Sequence, residues 1–463
     1  MLPVVAIVGR PNVGKSTLFN VLVRSRDALV ADRPGVTRDR KYGVCRTGGR
    51  PFVVVDTGGL DADSSGLGAL AARQTERAID EADLVVLLVD ARAGLVPGDH
   101  AILAALRRKG RDVLLAINKT DGLDVAGALA EFSPLGLPDP CLLSAAHGRG
   151  VDGLLAAIEP RLPERHDNAV PVEGGVRVAI IGRPNVGKST LVNRLFGDER
   201  VIASEIPGTT RDAIDIALER DGRRYTLIDT AGVRRRSRVD DPVETFSVIK
   251  TLQALDSAGV AVVLLDAAEG VTDQDNAVLG HVLDSGRALV IAVNKWDGLD
   301  RYARERCLAS LDRKLAFVPW ARRITISALH GSGLGELVKA IDRAHAAAGR
   351  VLKSSDLTRA LEAALAGMQP PRYRGHAPRL RFAHPGGNRP PTIVIHGTRT
   401  RHIGASYRRY LENFFRTRYR LEGTPVRIEF AEGDNPYADR PRERTIRRGA
   451  RRKASARSRR ARR

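Results

Sequence analysis

Two stretches of the chain share one rhythm of apolar and polar positions. Runs almost free of polar residues lie at 3–8, Leu84–Asp90, Val113–Asn118 and 141–144, and return at Val176–Ile181, Val260–Asp266, Ala288–Asn294 and 324–327. Longer amphipathic stretches separate them. Runs of this kind suit parallel strands buried on both faces, so the pattern predicts an α/β fold of three layers (α/β/α), built twice. Residues 151–162 and 336–348 predict the closing helix of each half, with Asp152 as the cap of the first. Between the halves, 163–175 (PERHDNAVPVEGG) is rich in Pro, Gly and polar residues and reads as a linker. The pattern changes after residue 351. A helix at 356–368, strands at 379–382 and 391–396, an aromatic-rich helix at 404–419 and a strand at 423–430 predict a small α+β module, with 384–391 as a connection. The expected domains are therefore 1–162, 176–350 and 351–435, followed by a tail at 436–463.

The two halves also share chemistry. Gly9, Arg10, Pro11, Asn12, Val13, Gly14, Lys15, Ser16 and Thr17 recur as Gly182, Arg183, Pro184, Asn185, Val186, Gly187, Lys188, Ser189 and Thr190. Both copies fit G-x-x-x-x-G-K-[ST], and both stand between an apolar run and a helix-like stretch, which is the P-loop context. The glycines permit close backbone approach, so successive N–H groups can face phosphate oxygens at the positive end of a helix. Lys15 and Lys188 supply a charge to the β- and γ-phosphates. Ser16 and Ser189 supply a hard oxygen to Mg²⁺.

Composition narrows the setting. A chain of 463 residues accommodates two or three domains. Cys45, Cys141 and Cys307 have neither disulfide nor metal spacing, which suits a reducing compartment, and Cys141 is expected as core filler. The chain runs into its first strand without room for a signal peptide, and no apolar run reaches membrane-spanning length, so a cytoplasmic monomer without a membrane partner is expected. The net charge is +21, of which 440–463 carries +12 through 13 Arg or Lys and one Glu. That tail lacks the apolar content to fold, and its guanidiniums suit a phosphate backbone.

Three further motifs follow each loop. Thr37 precedes Asp56 and Gly59, and the order recurs as Thr210, Asp229 and Gly232, offset by 173 residues like the loops. Asn118, Lys119 and Asp121 return as Asn294, Lys295 and Asp297, and Ser144 with Ala145 returns as Ser327 with Ala328. The set resembles the translation-factor-like GTPase superfamily. Asp121 and Asp297 can accept from guanine N1–H and N2–H₂, a donor pair that adenine lacks. Asn118 and Asn294 tie neighbouring loops, the stems of Lys119 and Lys295 pack on the base, and the backbone at Ser144–Ala145 and Ser327–Ala328 faces guanine O6. Thr37 and Thr210 complete the Mg²⁺ shell, Asp56 and Asp229 orient a metal-bound water, and Gly59 and Gly232 donate to the γ-phosphate. Lys15, Thr37, Lys188 and Thr210 are thus the expected catalytic set. Leu60 and Val233 stand where Ras-like proteins place a water-orienting glutamine, which implies slow intrinsic hydrolysis. The resemblance further implies that Asn12 and Asn185 coordinate K⁺ beside the phosphates.

With the third module included, the resemblance narrows to the Der, or EngA, family of bacterial ribosome-assembly GTPases. It rests on both loops, on the basic run 234–238, on 406–413 and on Gly423, Thr424 and Pro425. It implies two tandem P-loop GTPase domains, a KH-like domain, and a role with rRNA in maturing the large (50S) ribosomal subunit. The KH-like module has no G-x-x-G loop of the kind that clamps RNA backbone. A GTPase component of a tRNA-modification system is the alternative. It calls for a catalytic cysteine or a cofactor domain, and the sequence offers no candidate for either.

Overall fold

The computed structural model describes residues 2–23, 42–57, 76, 78–163, 175–197, 215–220, 222–228, 248–373 and 376–432. In the first half, β1 (Val4–Val8) leads through the glycine-bearing loop into α1 (Lys15–Val23), followed by β2 (Tyr42–Cys45) and β3 (Phe52–Asp56). Then come β4 (Leu84–Asp90), α2 (Pro97–Arg108), β5 (Val113–Asn118), α3 (Val125–Phe132), β6 (Cys141–Leu142) and α4 (Val151–Ile158). The sheet runs β2-β3-β1-β4-β5-β6, with only the β2–β3 pair antiparallel. Every residue of β1, β4 and β5 is buried. Val5 and Ile7 face one core layer, and Val4, Ala6 and Val8 face the other. The order of winding reverses at β1, between β3 and β4. The crevice beyond the carboxyl ends of those strands is therefore where a ligand fits.

The second half repeats this plan. It contains β7 (Val176–Ile181), α5 (Lys188–Gly197), β8 (Ile216–Arg220), β9 (Arg223–Ile228), α6 (Val248–Ser257), β10 (Val260–Asp266) and α7 (Asp273–Ser285). It ends with β11 (Ala288–Asn294), α8 (Arg301–Lys314), β12 (Arg322–Thr325) and α9 (Leu334–Ala348). Its order, β8-β9-β7-β10-β11-β12, is that of the first sheet.

Helix α6 belongs to both halves. Ala254 and Leu255 pack into the second core, whereas Ile249 and Leu252 join the first core beside Leu2, Val4, Val53 and Val55. Gln253 Nε2 donates to Leu2 O at 2.8 Å, and Arg46 pairs with Asp256 at 3.3 Å. The sequence pattern around 248–257 shows an amphipathic helix but not that its second face covers another sheet.

The third unit is α10 (Ser354–Gly367), β13 (Arg379–Asn388), β14 (Pro391–Thr398), α11 (Ala405–Arg418) and β15 (Arg427–Glu432). Its sheet order is β13-β14-β15, with β13 antiparallel and β15 parallel to β14. The expected α-β-β-α-β order holds, but 384–391 is mostly strand rather than connection. Two register shifts, between Leu380 and Phe382 and between Pro385 and Gly387, absorb residues that a regular ladder could not hold. Pro385 is tolerated because β13 is an edge strand. The unit docks on the second half through its last turn. Leu289 N donates to Gly423 O at 2.7 Å and Gly423 N donates to Trp320 O at 3.1 Å. At φ +65° Gly423 sits in the left-handed region, and a Cβ there would lie 2.8 Å from that of Ala344. Only glycine fits this contact.

Smaller expectations shift. The cap position of α4 is held by Gly150, with Asp152 in the first turn. Cys45 and Cys307 are the fully buried thiols, and Cys141 is half-buried. Among the described residues no helix is long and apolar enough to cross a membrane.

Candidate nucleotide sites

Each glycine-bearing loop closes on its own lysine. Lys15 Nζ donates to Gly9 O at 3.0 Å and Arg10 O at 2.6 Å, and Lys188 Nζ donates to Gly182 O at 3.0 Å and Arg183 O at 2.7 Å. Helices α1 and α5 begin at these lysines, so the charge stands at a helix N-terminus. Lys15 is buried, and its ammonium is held by carbonyls rather than by a carboxylate in these contacts. Asn12 and Asn185 are exposed at the tips of the loops with φ of 63° and 64°.

In each half one amide clamps the glycine-bearing loop to the Ser-Ala segment after the last strand. Asn118 Nδ2 donates to Val13 O at 2.8 Å while its Oδ1 accepts from Ala145 N at 2.9 Å. Asn294 repeats this with Val186 O at 2.8 Å and Ala328 N at 2.8 Å. Both amides are buried. A Cβ on Gly14 would lie 2.3 Å from Asn118 Nδ2, and one on Gly187 would lie 2.3 Å from Asn294 Nδ2. The second loop glycine thus serves two purposes: it turns the loop at φ near +100° and it admits the clamp.

Lys119 and Lys295 both have φ above +60°, which presents their stems beside the clamp. Lys119 Nζ donates to Asn12 O at 2.9 Å and pairs with Asp90 at 2.5 Å; Lys295 pairs with Asp266 at 2.6 Å. Burial pushes the Asp90 and Asp266 carboxyls up, but the lysine and backbone hydrogen bonds outweigh it and hold both below the usual range. Asp121 and Asp297, the carboxylates expected to read the base, are held low in a similar way. The Ser144 hydroxyl, which bonds Asp121 at 2.8 Å, is the main cause at Asp121, and the Ser327 hydroxyl is the main cause at Asp297. Each remains ionised as pH falls into the ordinary carboxylate range, so it keeps its acceptor character in mild acid.

Ser16 Oγ donates to Asp56 Oδ2 at 2.6 Å, and Thr57 Oγ1 donates to Ile7 O at 2.8 Å. A hydroxyl and a carboxylate adjoining a lysine-bearing loop form a hard-oxygen set that suits Mg²⁺. Thr37, Gly59, Leu60, Thr210, Asp229, Gly232, Val233 and the basic run 234–238 lie outside the described residues. Among the described residues, both halves bring the loop, the clamp, the lysine and the carboxylate expected to read the base together.

Some contacts of the site were not anticipated from sequence. Arg10 is turned to Asp99 at 2.8 Å and Arg183 to Asp275 at 2.8 Å, with both aspartates fully buried. These arginine side chains brace α2 and α7, which leaves their backbone N–H groups for a phosphate. Asp90 with Asp266 and Asp99 with Asp275 are each 176 residues apart, the same offset as Asn118 and Asn294. That repetition was the available signal. The two halves differ in the basic residue beside the aspartate expected to read the base: Arg92 pairs with Asp121, whereas His330 Nε2 stands 3.4 Å from Asp297.

Comparison with known proteins agrees with this geometry. The family described as 50S ribosome-binding GTPase matches residues 4–119 and 177–295, and the KH-domain-like family of EngA bacterial GTPase enzymes, C-terminal, matches 352–431. The chain is 57% identical over 440 residues to GTPase Der of Thioalkalivibrio sulfidiphilus, covering 95% of each chain. It is 57% identical over 442 residues to GTPase Der of Xanthomonas campestris, covering 94% of this chain and 95% of that protein. Among solved structures, Era of Aquifex aeolicus bound to GDP·AlF₄⁻ is 22% identical and covers 49% of this chain and 79% of that one, with a TM-score of 0.31.

Proposed function

We propose, from the premise that this chain belongs to the GTPase Der family and binds and hydrolyses GTP, that it is a double switch acting in assembly of the large ribosomal subunit. The observation that carries the reading is the duplicated clamp. Two loops in each half are locked by one buried asparagine at closely matching distances, which supports reading both halves as guanine-nucleotide sites. A bound Mg²⁺ would neutralise charge on the β- and γ-phosphate oxygens. Ser16 and Asp56, with Thr37, would hold it in the first site, and Ser189, Thr210 and Asp229 in the second. Lys15 and Lys188 would balance the phosphates, and Gly59 and Gly232 would sense the γ-phosphate. Asp121 and Asp297 would read the guanine edge, with Ser144, Ala145, Ser327 and Ala328 closing the pocket.

The partner is large-subunit rRNA, engaged in the cytoplasm by the protein as a monomer. The net charge of +21 supports an RNA partner, because attraction to phosphate is its most general consequence. Burial raises all three thiols above their ordinary value, to about 11 at Cys45, which tells against the cysteine chemistry of a tRNA-modification component.

Sedimentation with 50S subunits tests the reading. Wild type is expected to co-sediment with a non-hydrolysable GTP analogue but not with GDP, and Lys15→Ala or Lys188→Ala to lose that response. Binding that ignores nucleotide in all three proteins would overturn it.

The exposed, left-handed Asn12 and Asn185 also support a K⁺ requirement at the loop tip. GTP turnover is expected to rise about tenfold or more when K⁺ replaces Na⁺, an effect of over about 1 kcal/mol on the barrier. The double variant Asn12→Ala/Asn185→Ala should lose this stimulation. Equal rates in the two salts would remove K⁺ from the mechanism.

A further inference from the structure

We propose that the edge strand of the third sheet carries a binding site for the backbone of single-stranded RNA, distinct from any G-x-x-G loop. This inference rests on the RNA-binding reading above and says where the contact is made. Four exposed arginines, Arg372, Arg379, Arg381 and Arg399, line one cleft of about 610 Å³, together with His376 and Thr398. Among the described residues none of the four arginines has an ion-pair partner, whereas neighbouring Arg401 is held by Glu432 at 3.1 Å. Guanidiniums gathered in a concave wall without a carboxylate concentrate positive potential there. Their planar forks match phosphate oxygens two at a time.

The local backbone adds a second element. Leu380 and Ala383 are both buried although three residues apart on one strand, a spacing that regular alternation forbids. The register shift between Leu380 and Phe382 resolves this by inserting Arg381 as an extra residue. Arg381 and Phe382 consequently stand side by side in solvent, a charge next to an aromatic face. Phe382 is 45% exposed and stacks on His396 at 4.4 Å, and Tyr373, beside Arg372, is 44% exposed and stacks on His402 at 4.2 Å. An exposed ring already supported on one face offers the other to a base. Only an unpaired base can take that position, so the cleft suits a single strand rather than a duplex.

Arginines on an edge strand can also serve only to prevent pairing with another chain. Fluorescence anisotropy of the full-length protein with a labelled oligouridine, across a KCl series, separates the two roles. Arg379→Ala/Arg381→Ala is expected to bind about tenfold or more weakly. It should also flatten the log–log salt dependence by about 1.4, given ~0.7 per single-strand phosphate contact. Phe382→Leu is expected to weaken binding by about five- to 150-fold with the salt slope unchanged, as loss of one stacked base requires. A control pair on α8, Arg301→Ala/Arg306→Ala, should match wild type. If the arginine pair matches wild type in affinity and slope, the site is overturned while RNA binding by the chain stands. If wild type itself fails to bind RNA, both readings fall. A control pair that falls as far as the cleft pair would mean diffuse charge, and a duplex bound as tightly as oligouridine would overturn the single-strand assignment.

Discussion

Asp297→Asn is expected to turn the second site from guanosine to xanthosine nucleotides while the first stays with guanosine. The Ser327 hydroxyl holds the Asp297 carboxyl below the usual range, so its ionised oxygens would accept from guanine N1–H and N2–H₂. An asparagine keeps one acceptor but places an NH₂ against the guanine amine, donor facing donor. Xanthine carries a carbonyl at that position and accepts from the amide. Sites that pair every buried hydrogen bond of one base reject the mismatched base by about 10⁴ to 10⁵. Calorimetric titration reads the change directly. Wild type should take two equivalents of GDP per chain, and the variant one of GDP and one of XDP. Two equivalents of GDP on the variant would mean that Asp297 does not read the base.

Asn294→Ala is expected to cost the second domain about 2–6 kcal/mol of stability and to loosen its nucleotide site by about thirtyfold or more. The native amide satisfies a buried carbonyl, Val186 O, and a buried N–H, Ala328 N, in two different loops. Alanine leaves both unpaired, at about 1–3 kcal/mol each. The affinity follows because phosphate and base contacts are then no longer held in one rigid frame. Calorimetric unfolding should show the second domain's transition shifted down with the first in place, and GDP titration should show one weakened site. Unchanged GDP affinity in a destabilised domain would show that the clamp sets stability alone.

Much of this frame was legible in the chain, and the reason differs by element. The central strands β4, β5, β10 and β11 fall on the residues that their apolar runs predict, because burial on both faces excludes polar residues from the run until its last position, where Asp90, Asn118, Asp266 and Asn294 find partners. Asn118 and Asn294 were readable as ties between loops because their motif recurs in order. Arg10, which its motif places among phosphate binders, could not be read as a brace, since its partner Asp99 is 89 residues away in another element. The long hairpin of the third sheet was hidden for a related reason. Pro385, Gly386 and Gly387 signal a turn locally, and only the edge position and the bulges let them remain in a strand.

Helix α6 has a consequence for how this protein is made. The first sheet begins at residue 4, yet Ile249 and Leu252, which help cover one of its faces, lie well beyond the end of its own closing helix. At a synthesis rate of ~5–20 residues per second, the stretch from 163 to 257 takes about 5–20 s to translate. For that interval the emerging first domain presents Leu2, Val4, Val53 and Val55 with part of their cover missing. The nascent chain therefore exposes an apolar face suited to chaperone holding, and a polypeptide truncated after residue 163 keeps that face permanently open and prone to self-association. Completion of the first domain is in this sense an event in the biosynthesis of the second.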